Sequence, residues 1–294
     1  MSPDLESAIG VRHSPLLKAS AVLHVLALAA WLWRPALWPW ALGALVLNHA
    51  LITAAGLWPR ASLLGPNITR LPPAAAARRE VALTIDDGPD PEVTPAVLDE
   101  LQRAGARATF FCIAERAARH PALVADILAR GHSVQNHSHV HRHNFSLLGP
   151  RGFDAEITRA QAVLQSLTGQ RPRFFRAPAG LRNPFLQPVL ARHGLVLTSW
   201  TRRGFDTRER DPQRVLQRLT QGLAAGDVLL LHDGHAARAA DGRPVVLHVL
   251  PPLLRQLHDA GLVAVTLPQA FSTPPQPASA RPPSAATTDP LPTR

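Results

Sequence analysis

Lysine is almost absent from this chain. Lys18 is the only one, although Lys and Arg together number 31 and the formal net charge is +10. The basic surplus is therefore arginine. It is spread through the sequence without a basic block or interleaved aromatics, which argues against a nucleic-acid partner, and it fits a GC-rich coding sequence. Cysteine is nearly missing too: Cys112 stands alone. A single thiol excludes an internal disulfide, so cysteine usage leaves the compartment open. Its apolar neighbours in "TFFCI" make it a buried strand residue rather than a nucleophile. The N-terminal region also lacks the small-residue cleavage site of a signal peptide, because its first apolar run ends in Arg34-Pro35.

What is present there is apolar length. Residues 16–33 and 36–58 are runs long enough to cross a bilayer. Tryptophans mark their ends (Trp31, Trp33, Trp38, Trp40 and Trp58), where amphipathic rings favour the interface. The expectation is a transmembrane helical hairpin, with a buried soluble hairpin as the alternative. Asn48 and His49 lie midway along the second run and are expected to face the first helix rather than lipid.

Beyond residue 78 apolar, β-rich runs ("VALTI", "ATFFCI", "HSVQN", "RFFRA", "LVLTSW", "DVLLLH", "LVAVTL") alternate with segments of helical periodicity such as "VTPAVLDELQRAG". Seven strands and six intervening helices predict a parallel β/α architecture, an open sheet or a barrel. The expected division is an N-terminal cytoplasmic segment 1–15, two membrane helices in 16–58, a linker 59–78, a catalytic domain 79–271 and a disordered Pro/Ser/Ala tail 272–294.

Four polar clusters fall at predicted strand ends: Asp86-Asp87, "NHSHVHRH" with His137, His139, His141 and His143, "RAPAG" from Arg176, and "LLLHDGH" with His232. In a β/α fold the C-terminal strand ends share one mouth. Histidines and a carboxylate together suit a catalytic metal with one open position. His137 and His141, four apart, fit one face of a helical turn; His137 and His139 fit a strand. Adjacent aspartates repel, but past a strand end their side chains diverge. One can then hold a metal while the other takes a proton from the attacking water, with Gly88 and Pro89 setting the turn.

The clusters, in this order, resemble the motifs of the polysaccharide deacetylase family, the NodB-type carbohydrate esterases of family four. "TIDDGP" (84–89) is similar to the family's first motif, "HSHVH" (137–141) to its second, "RAPAG" (176–180) to its third and "LLH" (230–232) to its fifth. The resemblance spans roughly residues 79–270. It implies a distorted (β/α)7 barrel, here preceded by the transmembrane hairpin, and metal-dependent N-deacetylation of an N-acetylated sugar with release of acetate. By the same resemblance Asp87, His137 and His141 bind one divalent ion, usually zinc. Asp86 is the general base, Arg176 holds it, His232 is the general acid, the Ala179 N–H serves the oxyanion, and Ser138 supports the histidine turn.

Two positions depart from the family pattern. Ala179 stands where an aromatic is frequent, which removes a wall for sugar packing. The fourth motif is replaced by "SWTRRGFDT", in which Asp206 is expected to tune His232 and Arg203 stands where another aspartate would be. Both suggest a substrate other than a standard chitin or peptidoglycan chain. Basic residues flank the hairpin on both sides (Arg12 and Lys18 before it, Arg60, Arg70, Arg78 and Arg79 after it), so the positive-inside rule places the catalytic domain in the cytoplasm of a bacterial inner-membrane protein. Peptidoglycan lies outside, so either the first run does not span, or the substrate is a cytoplasmic lipid-linked N-acetyl sugar or another membrane-bound amide; long domains also cross despite their charge, which leaves the side of the catalytic domain open. Two other functional readings stand beside this one: an amidohydrolase-type hydrolase, for which no lysine follows Lys18 as a bridging ligand, and a non-catalytic carbohydrate-binding protein on the same fold.

Overall fold

The computed structural model describes residues 5–6 and 14–272; most of the segment 1–15 and almost all of the expected disordered tail lie outside the described residues. Eight strands form one sheet: Glu80–Asp86 (β1), Thr109–Cys112 (β2), Ser133–Asn136 (β3), Phe174–Phe175 (β4), Val196–Leu197 (β5), Arg202–Arg203 (β6), Val228–His232 (β7) and Val263–Val265 (β8). Their order is β5-β4-β3-β2-β1-β7-β6, with β8 also on β1, and the pairings are parallel. The seven expected strands are all here. The eighth, β6, consists of two arginines and carried no apolar signal.

β1 is buried on both faces, as a central parallel strand with helices outside it must be. Its period of two divides the work. Val81, Leu83 and Ile85 join the core shared with the surrounding helices, among them Thr94–Arg103 and Val245–Asp259. Ala82 joins an inner cluster with Phe111, Phe174, Val196 and Leu230. Asp86 shares the inner face with Ala82 and Thr84, so it is delivered to the barrel mouth by strand periodicity alone. Cys112 is fully buried on β2, where burial pushes its thiol pKa well up, as its setting suggested.

The outer strands β5 and β6 do not pair with each other, so the curled sheet is a distorted, open barrel. The connecting stretch 59–78 lies across that opening. Ile68 donates its N–H to Leu197 O (2.9 Å) and accepts from Ser199 N (2.7 Å), while Leu71 N donates to Gly226 O (2.8 Å). Leu64, Leu71 and Ala75 are buried. This strap satisfies backbone groups on both sides of the gap, as an otherwise open β-edge requires.

The N-terminal helices Pro15–Trp33 (α1) and Trp38–Leu57 (α2), joined by a short turn at Pro35–Leu37, pack as a hairpin. Both are long and apolar enough to cross a membrane, and most of their surface is exposed. Asn48 faces α1 as expected, donating to Ser20 Oγ at 2.8 Å. His49 also reaches α1, but at the edge of the hairpin: its side chain is exposed, with its ring 5.2 Å from that of His24.

Candidate active site

Asp86 and Asp87 end up with different partners. Arg176, which is 1 % exposed, donates from one guanidinium nitrogen to Asp86 Oδ1 (2.7 Å) and Thr84 Oγ1 (2.8 Å), and from the others to the carbonyls of Ser199 (2.7 Å) and Thr198 (3.1 Å). Its ring neighbour Phe111 lies 4.1 Å from the guanidinium carbon. A buried guanidinium so fully used is a rigid clamp. It fixes Asp86 by Oδ1 and leaves Oδ2 towards the histidines, 3.9 Å from His137 Nε2.

Asp87 lies one residue past the strand with φ 74°, a left-handed conformation that swings its carboxylate away from that of Asp86. The turn is packed tightly. A Cβ on Gly88 would collide with the Asp233 carboxylate, so glycine is required there. Asp233 is buried behind the turn and takes a hydrogen bond from Thr94 Oγ1 (2.5 Å); burial, aided by the nearby Asp87, pushes its carboxyl up to about 7.

His137 follows β3 directly, and its Nδ1–H donates to the Arg176 carbonyl at 2.8 Å. That tautomer leaves Nε2 as a bare donor atom. Nε2 of His137 and Nε2 of His141 stand 3.1 and 3.2 Å from Asp87 Oδ1, and the three ligand atoms lie within 4.8 Å of one another. Asp87 Oδ1 is shielded from solvent and accepts no hydrogen bond of good geometry. Lone pairs from two imidazoles and a carboxylate thus converge on a buried atom without a proton donor aimed at it, and this fits a divalent cation. Burial opposes ionisation of Asp87, yet its contacts with His137 and His235 outweigh it and hold the carboxyl well below the usual range. Burial and the neighbouring His137 push His141 down to about 4, so it is neutral and ready to ligate.

The turn carrying the histidines is held from behind. Ser138 Oγ accepts from His141 N (3.0 Å), and Glu156 on helix Pro150–Thr168 accepts from the amides of His139 and Val140 (3.1 and 3.2 Å). Of the four histidines only His137 and His141 join the cluster, the pair four apart rather than the strand pair; an irregular turn with Ser138 and His141 at positive φ brings them together, not the helical turn that the spacing suggested.

Across the mouth, Asp206 is fully buried and binds His232 twice: Oδ1 meets Nδ1 at 2.9 Å and Oδ2 accepts from the backbone N at 2.7 Å. Burial alone would lower the His232 pKa, but the Asp206 carboxylate outweighs it and raises it to about 9. His232 is therefore a cation at pH 7. Ala179 lines the same pocket of about 220 Å³, in a left-handed conformation (φ 55°).

Sequence reasoning missed three further residues. Trp200 and His235 line the pocket, and Arg116 donates to the Asp87 carbonyl (2.9 Å) while contacting His235 Nε2 (2.7 Å). His235 Nδ1 reaches Asp87 Oδ2 at 3.1 Å. The only available hint was its position three residues after His232 at the end of β7; Arg116 sits on a helix far from any motif and gave none.

A curled parallel β/α sheet carries at its mouth an Asp-Asp pair, two histidines, a clamped arginine and a buried Asp–His pair, a hydrolase-like centre whose Asp87, His137 and His141 could hold a metal ion. The family model described as polysaccharide deacetylase matches residues 74–198. The chain is 31% identical to the chitooligosaccharide deacetylase of Sinorhizobium fredii over 205 residues, covering 68% of this chain and 95% of that protein. Among solved structures it is similar to the Bc1960 peptidoglycan N-acetylglucosamine deacetylase (27% identity, TM-score 0.63, 70% of this chain and 92% of that one). A family 4 carbohydrate esterase from Streptomyces lividans, solved with acetate, is 33% identical with TM-score 0.57, over 63% of this chain and 91% of that one. The chain belongs to the polysaccharide deacetylase family, and the fold implied by its motifs is the fold observed.

Proposed function

We propose that this protein is a metal-dependent hydrolase that removes the acetyl group from an N-acetylated sugar, releasing acetate. The observation that carries the reading is the division of the two aspartates: Asp86 clamped by Arg176, Asp87 shared by His137 and His141. The named relatives that match are deacetylases of N-acetylglucosamine-containing glycans, which supports the same chemistry here.

Asp87, His137 and His141 would hold one divalent ion, with zinc suited to a donor set of two nitrogens and one oxygen. Such an ion, when bound, polarises the amide carbonyl and makes water more acidic. Asp86 Oδ2 takes the proton from the attacking water, Arg176 holding that carboxylate in place through Oδ1. The backbone N–H of Ala179 donates to the developing oxyanion. His232 donates from Nε2 to the departing nitrogen, because an amine leaves readily only when protonated; Asp206 fixes Nδ1–H and keeps the ring charged. The catalytic unit runs from 79 to 271, with the strap completing its sheet. The exposed apolar hairpin with tryptophans at its ends supports an anchor in a bacterial inner membrane.

The test is acetate release by the full chain in detergent with zinc, from chitooligosaccharides, peptidoglycan fragments and N-acetylglucosamine glycolipids. Release that disappears in Asp86→Asn is expected. No release from any of them by zinc-loaded protein would overturn the reading.

A second expectation concerns pH. A raised His232 pKa means that the protonated acid is present below about 9 and lost as pH rises through that value. The alkaline limb of kcat therefore falls near pH 9. In Asp206→Asn the largest opposing carboxylate is gone, while Asp86 and Asp87 still favour the charged ring, so that limb moves down from about 9 towards the ordinary histidine value of about 6.5. An unchanged limb in this variant would remove Asp206 from its role. The stability linkage has the same sign: the Asp206–His232 pair stabilises the fold fully below about pH 6.5 and loses its contribution between there and about pH 9.

A further inference from the structure

The catalytic pocket does not end at Trp200 and Arg203. Both residues also line a larger groove of about 780 Å³ that runs from the mouth to the foot of the hairpin. One wall is the last turn of α2, with Ala54, Leu57 and Trp58; the latter two are more than half exposed. The other wall is polar and of a single sign: Arg60, Arg202, Arg203 and Arg218 line it, and no Asp or Glu does.

These four cations are not equivalent. Arg202 is paired with the buried Asp227, and Arg218 with Glu209 (3.1 Å). Arg60 bonds only a carbonyl, Thr201 O at 3.2 Å, and has no ion pair among the described residues. Arg203 has none either. Its guanidinium stands between Trp200 and Phe205 (5.1 and 5.0 Å from the ring centres), and its Nε is shielded from solvent with no hydrogen-bond partner. A shielded, unsatisfied guanidinium N–H is costly unless a ligand supplies the acceptor. Guanidinium forks match phosphate oxygens well.

The foot of the hairpin is locked to the barrel rim, so groove and mouth keep a fixed relation. Arg182 N donates to Gly56 O (3.1 Å), and a Cβ on Gly56 would strike the Arg182 carbonyl. Ser199 Oγ donates to Pro59 O (2.5 Å), Arg182 also donates to Ala61 O, and Pro59 packs on Gly180, next to Ala179. An apolar helix end, a cationic groove and a deacetylation pocket therefore follow one another in a line.

Resting on the proposed deacetylation, the geometry points to a membrane glycolipid as substrate: an N-acetylated sugar joined through phosphate or diphosphate to a long-chain lipid. The sugar occupies the pocket, the phosphate lies between Arg60 and Arg203, and the lipid passes Leu57 and Trp58 into the bilayer. The same arrangement accounts for Ala179, since a substrate held by its phosphate has less need of an aromatic wall under the sugar.

Binding to the full-length Asp86→Asn protein, in phosphatidylcholine nanodiscs with zinc, separates this proposal from the catalytic one. The probes are dodecyl diphosphate-linked N-acetylglucosamine and the phosphate-free dodecyl N-acetylglucosaminide, with quenching of tryptophan fluorescence as readout. At least tenfold tighter binding of the phosphate-bearing probe is expected. The preference should shrink to twofold or less when Arg60→Gln and Arg203→Gln are combined, and survive largely in Arg60→Lys. It should also persist when phosphatidylglycerol is added to the discs, which excludes a headgroup as the intended occupant. Equal binding of the two probes, an unchanged preference in the double variant, or loss of it to phosphatidylglycerol would overturn the proposal. Acetate release by the wild type reports on deacetylation independently: release from chitooligosaccharides with equal binding of the two probes keeps the enzyme and removes the groove.

Discussion

Asp86→Asn lowers kcat by about 10²- to 10⁴-fold, the range for loss of a positioned general base, while zinc stays bound at wild-type stoichiometry. The separation is possible because Asp86 is not in the ligand cluster. Its Oδ1 accepts from Arg176, and an asparagine oxygen can keep that hydrogen bond. The amide nitrogen then faces the histidines, where it cannot take a proton. The variant also leaves the buried Arg176 without its counter-charge. Loss of one partner of a buried pair costs roughly 3–5 kcal/mol, moderated here by the two carbonyls and the hydroxyl that Arg176 also holds. A lower melting temperature is therefore expected alongside the lost rate. Kinetics and metal analysis on the same sample decide the matter: full turnover removes Asp86 from general-base duty, and loss of zinc would move it into the ligand set.

His137→Ala and His141→Ala each abolish stoichiometric zinc, and with it acetate release. Losing a partner that merely orients a ligand weakens metal binding by roughly 10- to 100-fold, and losing a ligand should exceed that. His139→Ala is the internal control. It lies in the same "HSHVH" stretch, but its side chain does not enter the cluster, so zinc affinity should stay within about twofold. His235→Ala should fall between these limits, since His235 contacts Asp87 Oδ2 and not the Oδ1 on which the two histidines converge. Isothermal titration of the apo-proteins with zinc measures all four. If His139→Ala lost the metal while His141→Ala kept it, the ligand set would have to be redrawn along the strand.

The features legible beforehand were those that local pattern governs. Strand periodicity in "EVALTID" places Asp86 inside, and the apolar runs locate seven of the eight strands because buried parallel strands leave an unbroken apolar trace. The order of the four clusters was enough to resemble the family. β6 escaped notice because two arginines carry no apolar signature, and their strand geometry comes from pairing with Leu229 and Leu230 on β7. His49 reaches α1 only at the exposed edge, against His24, because the helix rotation that buries Asn48 against Ser20 turns its neighbour outwards.

By itself, the sequence determined the β/α alternation, the apolar hairpin and the residue types at each strand end, all of which depend on neighbours within a few positions. Only the tertiary structure decided how His137 and His141 approach one oxygen of Asp87, that Asp206 binds His232 through both carboxylate oxygens, that a strap from 59–78 bridges the barrel's open edge, and that Arg60 and Arg203 line one groove beside the hairpin. Those are contacts between distant segments. Packing fixes them by bringing buried charges and backbone groups to partners they must have, and no local pattern encodes which partner that is.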